Sequence, residues 1–427
     1  MTILVDYYAG ILIAQAEGNK RRNLLIISLI TNIGFLAYFK YFNFFHENLT
    51  SLLHLFDLTN PIPRFESELP IGLSFHTFQA MSYTIEVYRR NEKPERNFSI
   101  YALYVLFYPQ LVAGPIERPQ NLLWQFRTQF AYDFENIKQG LIRIAWGLFK
   151  KVVIADNCAQ IVNMVFENHE DYNGSSLVIA AVLFSFQIYG DFSGYSDIAI
   201  GTSRLFGFDL MQNFAYPYFS RDIAEFWRRW HISLSTWFRD YLYIPLGGSR
   251  VSKLKQIRNV LIIFIVSGFW HGANWTFIVW GAINAFFILP SIVLNTNRNN
   301  IEIVAHHSIL PSFKEMLQIG FTFFITTIAW IFFRAENMTH ALSYIKGIST
   351  SLLRTPQINS NAISVKILFL LLVFLLLVEW MGRKNSFALE NFKQTKPIYR
   401  RIFYIVLLLL IVIFGVTAKT EFIYFAF

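Results

Sequence analysis

The residue of this sequence best suited to chemistry is a histidine inside a long apolar run. His271 lies in the segment Ser267–Trp275 (SGFWHGANW), within the run Asn259–Leu289. Twelve residues of that run precede it, which in a helix places it about 18 Å from the start, near the middle of a bilayer. Ionisable groups at such depth are costly and mark function by default. The alternative is a buried histidine bonded to a backbone carbonyl, or an interfacial one if the run forms two half-spans.

Small and polar residues surround this histidine. Gly268 and Gly272 permit a bend or the close approach of another chain, and irregular backbone at membrane depth requires shielding by protein or a wet cavity. Trp270 and Asn274 add polar groups that could bind a substrate. An imidazole in such surroundings can act as a general base on a hydroxyl group.

A second candidate histidine lies in the aromatic, basic segment Arg221–Pro245. Apolar side chains recur there every three or four residues, which predicts one amphipathic helix at the membrane interface. These residues are Ile223, Trp227, Trp230, Leu234, Trp237 and Tyr241. His231 lies beside Trp230 at the edge of this aromatic face. The alternative is that the helix only anchors the protein and that His231 is an interfacial side chain.

Two carboxylates lie in the otherwise apolar segment Gln187–Asp197. Asp191 could pair with an arginine of the amphipathic helix or orient a histidine, and Asp197 could join it in a proton relay. The small residues Ser193, Gly194 and Ser196 are explained equally well by helix packing.

The elements that hold these residues are predicted to be membrane helices. The chain of 427 residues is 54% apolar and only 15% charged, against about 25% charged residues in soluble domains; this excludes a disordered chain and argues against a soluble enzyme. A membrane span needs about 20 mainly apolar residues. The clearest windows are Asn23–Phe42, Leu69–Tyr88, Ser175–Gly201, Asn259–Leu289, Met316–Phe333, Ile363–Trp380 and Ile402–Ala418, with shorter candidates at Ile3–Ala16, Ser99–Ala113 and Gly140–Ala155. We therefore expect an all-α, multi-pass bundle with about nine to eleven membrane-embedded elements, in one domain over residues 1–427.

The net charge of +9 is assigned to topology and not to nucleic-acid binding, because cytoplasmic loops are rich in Lys and Arg. Basic residues cluster at 20–22, 89–96, 221–258 and 383–401, whereas Asn43–Glu68 and the tail Glu421–Phe427 are expected to face outward. Because the last two basic blocks are both expected to face the cytoplasm, an even number of membrane crossings must separate them. Three apolar windows lie between them, so one must bend back or another crossing lies in Ala335–Leu353.

The absence of several motifs narrows the chemistry. No phosphate-binding glycine motif, H-E-x-x-H or G-x-S-x-G is present, and the single Cys158 excludes a multi-cysteine metal site; no metal site is predicted. Three functions remain: acyl transfer from a soluble anionic donor to an alcohol, proton-coupled transport through His271, Asp191 and Asp197, and haem binding through His76 and His271. Matching interrupted helices in two halves, which are typical of transporters, are not found, and the haem pair is weak.

Two long motifs resemble one family. The run Glu225–Gly248 (EFWRRWHISLSTWFRDYLYIPLGG) followed by Gly268–Trp275 (GFWHGANW) closely resembles the membrane-bound O-acyltransferases, and within them the bacterial alginate O-acetyltransferase branch. Supporting stretches are Leu69–Gln79, Pro109–Pro115 and Gly194–Gly201. The D-alanyl transferase branch shares the Trp-His pair, but the ending YLYIPLGG favours the polysaccharide branch.

The resemblance implies that His271 is the catalytic histidine and His231 the second motif histidine. It implies a helical shell with re-entrant or half-spanning helices and a central tunnel, near which Trp270, Asn274, Trp230 and Asp191 would lie. It also implies acetyl-CoA or another acetyl carrier as donor, an exported polysaccharide as acceptor, a periplasmic or surface acetyltransferase as partner, and a bacterial inner-membrane location. Family members usually begin with two or so further hydrophobic segments before the stretch that resembles Ile3–Phe42.

Overall fold

All regular structure in the described residues is helical, as the composition predicts. The computed structural model describes residues 2–65, 70, 72–358, 363–392, 395–417 and 422–423. Within these ranges no strand occurs, and the chain groups by contact into two compact units. The predicted outward tail Glu421–Phe427 falls almost wholly outside the described residues.

The first unit comprises the described part of Met1–Tyr132, with Phe208–Leu210 and Gly272–Asn274. Its helices are α1 (Thr2–Gln15), α2 (Gly18–Leu36), α3 (Phe42–His54), α4 (Leu73–Arg89), α5 (Phe98–Val105) and α6 (Pro119–Leu122). Buried polar bonds join them: Asp6 of α1 accepts hydrogen bonds from Ser28 (2.6 Å) and Asn32 (2.8 Å) of α2. Arg21 of α2 donates to the carbonyl oxygens of Val87 and Tyr88 in the last turn of α4, where helix carbonyls lack their full set of internal partners.

The second unit comprises Asp133–Gly207, Met211–His271 and the described part of Trp275–Phe427. Its helices are α7 (Phe134–Leu148), α8 (Asp156–Glu167), α9 (Gly174–Leu205), α10 (Ile223–Arg229), α11 (Ile232–Phe238), α12 (Lys253–His271), α13 (Trp275–Val293), α14 (Phe313–Arg334), α15 (Met338–Ser351), α16 (Val365–Gly382) and α17 (Pro397–Phe414). The 32-residue helix α9 is the most deeply buried of the long apolar helices. It therefore forms the centre of this unit.

Glycines let α7 pack closely against α9. A Cβ on Gly194 would lie 2.7 Å from the carbonyl oxygen of Gly147, and a Cβ on Gly201 would lie 2.7 Å from that of Gly140. Any larger side chain would force the backbones apart. These contacts agree with the helix-packing explanation of Gly194, and close packing at small residues is common between membrane helices.

Among the described residues, six helical stretches are long and apolar enough to cross a membrane: Gly18–His54, Gly174–Leu205, Trp275–Val293, Phe313–Arg334, Val365–Gly382 and Pro397–Phe414. The first is continuous because a π-helical turn, Ala37–Tyr41, joins α2 to α3. The remaining predicted windows fall on shorter helices or helix ends, although Leu69 and Ala418, at two window edges, lie outside the described residues. The chain is thus a multi-pass membrane protein.

One predicted window is wrong as a single element. Asn259–Leu289 divides after His271 into α12 and α13, which pack side by side. Gly268 lies against Phe277 and Gly281 against Phe264, an antiparallel register. The run is therefore a helical hairpin, and α15 is a short helix within Ala335–Leu353. The sidedness expected from the basic blocks stays a prediction.

The hairpin depends on Gly268, and Gly268→Ala should destabilise the protein by about 1–3 kcal/mol. The new methyl group would overlap the carbonyl oxygen of Phe277, so the two helices must separate. Thermal unfolding in a fixed detergent measures the effect. Gly320→Ala on α14 is the matched control, because its Cβ meets no atom within 4 Å; equal melting temperatures for the two variants would contradict the hairpin contact.

Candidate functional site

His271 is the last residue of α12 and is enclosed by aromatic rings. It is 4% exposed. Its ring centroid lies 5.1 Å from that of Trp280 on α13 and 5.4 Å from that of Phe333 on α14, both in edge-on contact, the geometry that aromatic pairs favour. Three helices therefore hold this imidazole in place. Its depth in a bilayer stays a prediction.

His231 lies at a break in what the sequence predicted as one helix. The prediction of a continuous amphipathic helix over Arg221–Pro245 is wrong, since α10 ends at Arg229 and α11 begins at Ile232. His231 itself has the left-handed conformation (φ 43°, ψ 56°), which is unusual for a residue with a side chain.

Hydrogen bonds from a neighbouring loop explain this break. The backbone N–H of Ala215 donates to the carbonyl of Arg229, and that of Ile232 donates to the carbonyl of Asn213, both at 2.9 Å. Two backbone groups that a continuous helix would pair internally are thus paired with residues 213–215. Strained backbone persists only where its surroundings fix it, and it is concentrated at functional sites.

The side chain of His231 is 1% exposed and hydrogen-bonded. Its Nδ1 lies 3.0 Å from Oδ1 of Asn213, and its ring packs edge-on against Phe192 at 4.6 Å. Burial lowers the pKa of His231 to about 3, because an apolar environment disfavours the charged imidazolium. The ring is therefore neutral at ordinary pH, and one of its nitrogens keeps a lone pair that can accept a hydrogen bond.

The two histidines share one tryptophan. The ring of Trp270 lies 4.9 Å from that of His271 and 6.5 Å from that of His231, centroid to centroid. Trp230 packs on Trp330 at 5.0 Å, and Trp330 stacks on Trp280 at 5.6 Å. We call this group the histidine cluster: His231, His271, Trp230, Trp270, Trp280, Trp330 and Phe333. It brings together four of the residues singled out from the sequence.

Asp191 lies outside the histidine cluster. Its carboxylate contacts Nζ of Lys151 at 2.6 Å and accepts a hydrogen bond from the backbone N–H of Ile423 at 2.7 Å. The expected pairing with an arginine of residues 221–245 is not seen, because Arg221 and Arg229 both bind Glu225, at 3.0 and 2.8 Å. These contacts join α9 to the segment that carries Lys151 and to Ile423, and the predicted place of Asp191 near a tunnel stays a prediction.

Asp197 is likewise paired with cations. It contacts Nε of Arg143 at 2.7 Å and Nζ of Lys150 at 2.6 Å. Beside them is a cavity of about 20 Å³, also lined by Ser196, Asn213 and Glu379, which is enough room for one water molecule. A proton relay through the two aspartates would have to pass through these lysine and arginine contacts.

Asn274 lies in the short turn Gly272–Asn274 that joins α12 to α13, and its side chain is partly exposed. Its sequence position keeps it three residues from His271. Among the described residues, no group of three His, Cys, Asp or Glu side chains is arranged to hold a metal ion.

Sequence reasoning missed Asn213, Trp280, Trp330 and Phe333. Asn213 is fully buried, yet it lies in a loop whose composition gives no sign of this. The three aromatic residues lie in predicted spans, where such residues are common. Only the tertiary packing shows that they surround the histidines.

Comparisons with known proteins agree on one family. The model of the membrane-bound O-acyltransferase (MBOAT) family matches residues 27–333. A peptidoglycan O-acetyltransferase of Helicobacter pylori is 37% identical over 383 residues, covering 81% of this chain and 68% of that protein. The probable alginate O-acetylase AlgI of Pseudomonas aeruginosa is 38% identical over 335 residues, covering 78% of this chain and 62% of that protein.

A third similarity is weaker and shorter. A teichoic acid D-alanyltransferase of Bacillus subtilis is 28% identical over 227 residues, covering 50% of this chain and 57% of that protein. The chain spans about two thirds of the length of the two acetylating relatives, 62–68%.

Proposed function

This chain belongs to the membrane-bound O-acyltransferase family, and we propose that it transfers an acetyl group from a cytoplasmic donor towards the hydroxyl groups of an exported polysaccharide. The main support for the proposal is the pair of buried histidines, His231 and His271, whose rings both lie near that of Trp270. Such a pair can bind and deprotonate a hydroxyl group where water is largely excluded.

The chemistry requires a base at the acceptor hydroxyl. In the proposed step the hydroxyl oxygen attacks the carbonyl carbon of an acetyl thioester while His271 takes the hydroxyl proton. The C–S bond then breaks, and the leaving thiolate recovers the proton from the imidazolium. A base placed in this way accelerates transfer by about 10²–10⁴. The aromatic walls limit competing hydrolysis by water.

The relatives favour acetyl over D-alanyl transfer. Both acetylating relatives are 37–38% identical over 78–81% of the chain, whereas the D-alanyltransferase is 28% identical over 50%. Acetyl-CoA or another acetyl carrier is the proposed donor. A periplasmic or surface acetyltransferase would complete delivery, and the bacterial inner membrane is the location that fits both substrates.

Ester analysis tests this function. The chain is expressed in cells that export a polysaccharide but lack their own O-acetylating membrane enzyme. We expect acetate to be released from the polymer by mild alkali, above the level from cells without the chain. Release of D-alanine would support the alternative activity, and a polymer without esters beside folded, membrane-inserted protein would contradict both.

Exposed basic residues are the proposed entrance for the donor's phosphates. Within the basic block of residues 221–258, Arg221 and Arg229 bind Glu225. The exposed cations Arg250 and Lys255 are two proposed attractors of the donor in this block. Replacing both with glutamine should raise the KM for an anionic donor by roughly threefold to tenfold and leave kcat unchanged, because steering acts on encounter.

The size of this change in KM should shrink at high salt, which screens exposed charges. Lys346→Gln combined with Arg354→Gln removes the same charge from other exposed positions and serves as the control. A fall in kcat with unchanged KM would argue against a donor entrance at Arg250 and Lys255.

A further inference from the structure

We propose that Asn213 is a positioning residue that determines which ring nitrogen of His231 carries the hydrogen, leaving Nε2 as the basic atom. Only the expected effect of Asn213 on catalysis rests on the proposed function. The hydrogen-bond geometry that supports it is independent of the reaction.

The orientation of the Asn213 amide follows from its partners. Its Oδ1 lies 3.3 Å from the backbone N–H of Ser233 and 2.9 Å from the hydroxyl of Ser233. A backbone N–H can only donate, so the amide oxygen and not the NH₂ group must face it. The NH₂ group then donates to Oγ of Ser196 at 3.1 Å. A flipped amide would place its NH₂ group against the backbone N–H of Ser233, which can only donate.

The orientation of the amide fixes the tautomer of the histidine. Nδ1 of His231 lies 3.0 Å from the same Oδ1, and an oxygen without hydrogen can only accept, so Nδ1 carries the hydrogen. A neutral imidazole has one N–H, and Nε2 therefore carries the lone pair. The rings that pack on His231 include Phe192 of α9, Phe214 of the adjoining loop and Trp270 of α12, and these three rings carry no charge.

The backbone of Asn213 holds the same histidine from a second direction. Its carbonyl accepts the N–H of Ile232 at 2.9 Å, which stabilises the left-handed turn at His231. One residue thus fixes both the backbone conformation and the ring of His231. This arrangement resembles the way a second residue orients a catalytic histidine in many enzymes, where it selects the tautomer.

The direct test is spectroscopic and does not depend on activity. Solid-state NMR of the ¹⁵N-histidine-labelled protein in lipid bilayers distinguishes protonated from unprotonated ring nitrogens, and the His231 signals are those lost in His231→Gln. We expect a protonated Nδ1 and an unprotonated Nε2. In Asn213→Leu the Nε2-protonated form should gain intensity. A wild-type spectrum with protonated Nε2 would overturn the proposal even if the enzyme is an acetyltransferase.

The activity test separates positioning from simple structural support. Asn213→Leu should lower acetyl transfer by about 10²-fold through misplacement of the ring. Asn213→Asp keeps an acceptor, but its carboxylate favours imidazolium and raises the pKa of His231. Protonation of His231 removes the Nε2 lone pair that would bind the acceptor hydroxyl, so activity is lost as pH falls through that pKa, and the acid limb of the pH profile should move to higher pH.

A second buried asparagine provides the control. Asn157 is also buried and bonds the carbonyl oxygens of Val153 and Phe414, so Asn157→Asp introduces a comparable carboxylate away from His231. It should leave the pH profile in place. If Asn213→Asp and Asn213→Leu lose activity equally with a wild-type pH profile, Asn213 has only a structural role.

Discussion

His271→Gln should abolish acetyl transfer while the protein still inserts and folds. The amide nearly fills the space of the imidazole between Trp280 and Phe333, but it cannot accept a proton at neutral pH. Loss of a general base costs about 10²–10⁴ in rate. Ester-bound acetate on the polymer and initial transfer rates in membrane vesicles measure the effect. His271→Ala should give the same loss, although it also leaves a void among aromatic rings.

Two further histidine variants control this result. His307 is exposed in a loop, and His307→Gln should transfer acetyl groups at the wild-type rate. His231→Ala should impair turnover less completely than His271→Ala, which would separate the two roles. Unchanged ester content in His271→Gln would refute the catalytic assignment of His271. Full activity in His231→Ala would favour the alternative in which His231 is only an interfacial side chain.

Composition was sufficient to predict the fold class. Spans such as Ser175–Gly201 and Ile363–Trp380 are so apolar that only a membrane helix or a deeply buried helix can accommodate them, and α9 and α16 match them closely. Local sequence decides such elements because every backbone group in a bilayer must be paired within the segment. The all-helical membrane architecture is therefore confirmed.

The breaks in helices could not be predicted in the same way. The helix over Arg221–Pro245 is interrupted because residues 213–215 supply competing hydrogen bonds, and the turn after His271 is stabilised by contact of Gly268 with Phe277. Both causes involve residues outside the local window. The periodicity of apolar residues predicts the apolar face of a helix, but it contains no information on distant residues that interrupt the helix.

The candidate site was also predictable only in part. His231, His271, Trp230 and Trp270 were identified from their types and positions, and the structure gathers them around shared rings. Their catalytic and binding roles stay predictions. The partners of Asp191 and Asp197 could not be inferred, because Arg143, Lys150 and Lys151 lie on a different helical segment, about forty or more residues earlier in the chain.

Asp197→Asn should destabilise the protein by about 3–5 kcal/mol, more than Gly268→Ala does. The substitution leaves Arg143 and Lys150, whose side chains are each only 4% exposed, without their shared counter-charge. Buried cations without a partner are costly, whereas an intact buried pair contributes little net stability. Unfolding by heat or denaturant in lipid nanodiscs measures the loss.

Two comparisons make this prediction specific to the buried pairs. Asp240 forms an exposed ion pair with Arg239, and Asp240→Asn should change stability by at most about 1 kcal/mol. Replacing Asp197, Arg143 and Lys150 together with leucine, methionine and methionine should recover much of the loss, because the two buried cations are removed with their shared counter-charge. Asp197→Asn could instead be as stable as Asp240→Asn and abolish proton movement across vesicle membranes. That result would place Asp197 on a proton path and support the alternative of proton-coupled transport, which the contacts of Asp197 with Arg143 and Lys150 argue against.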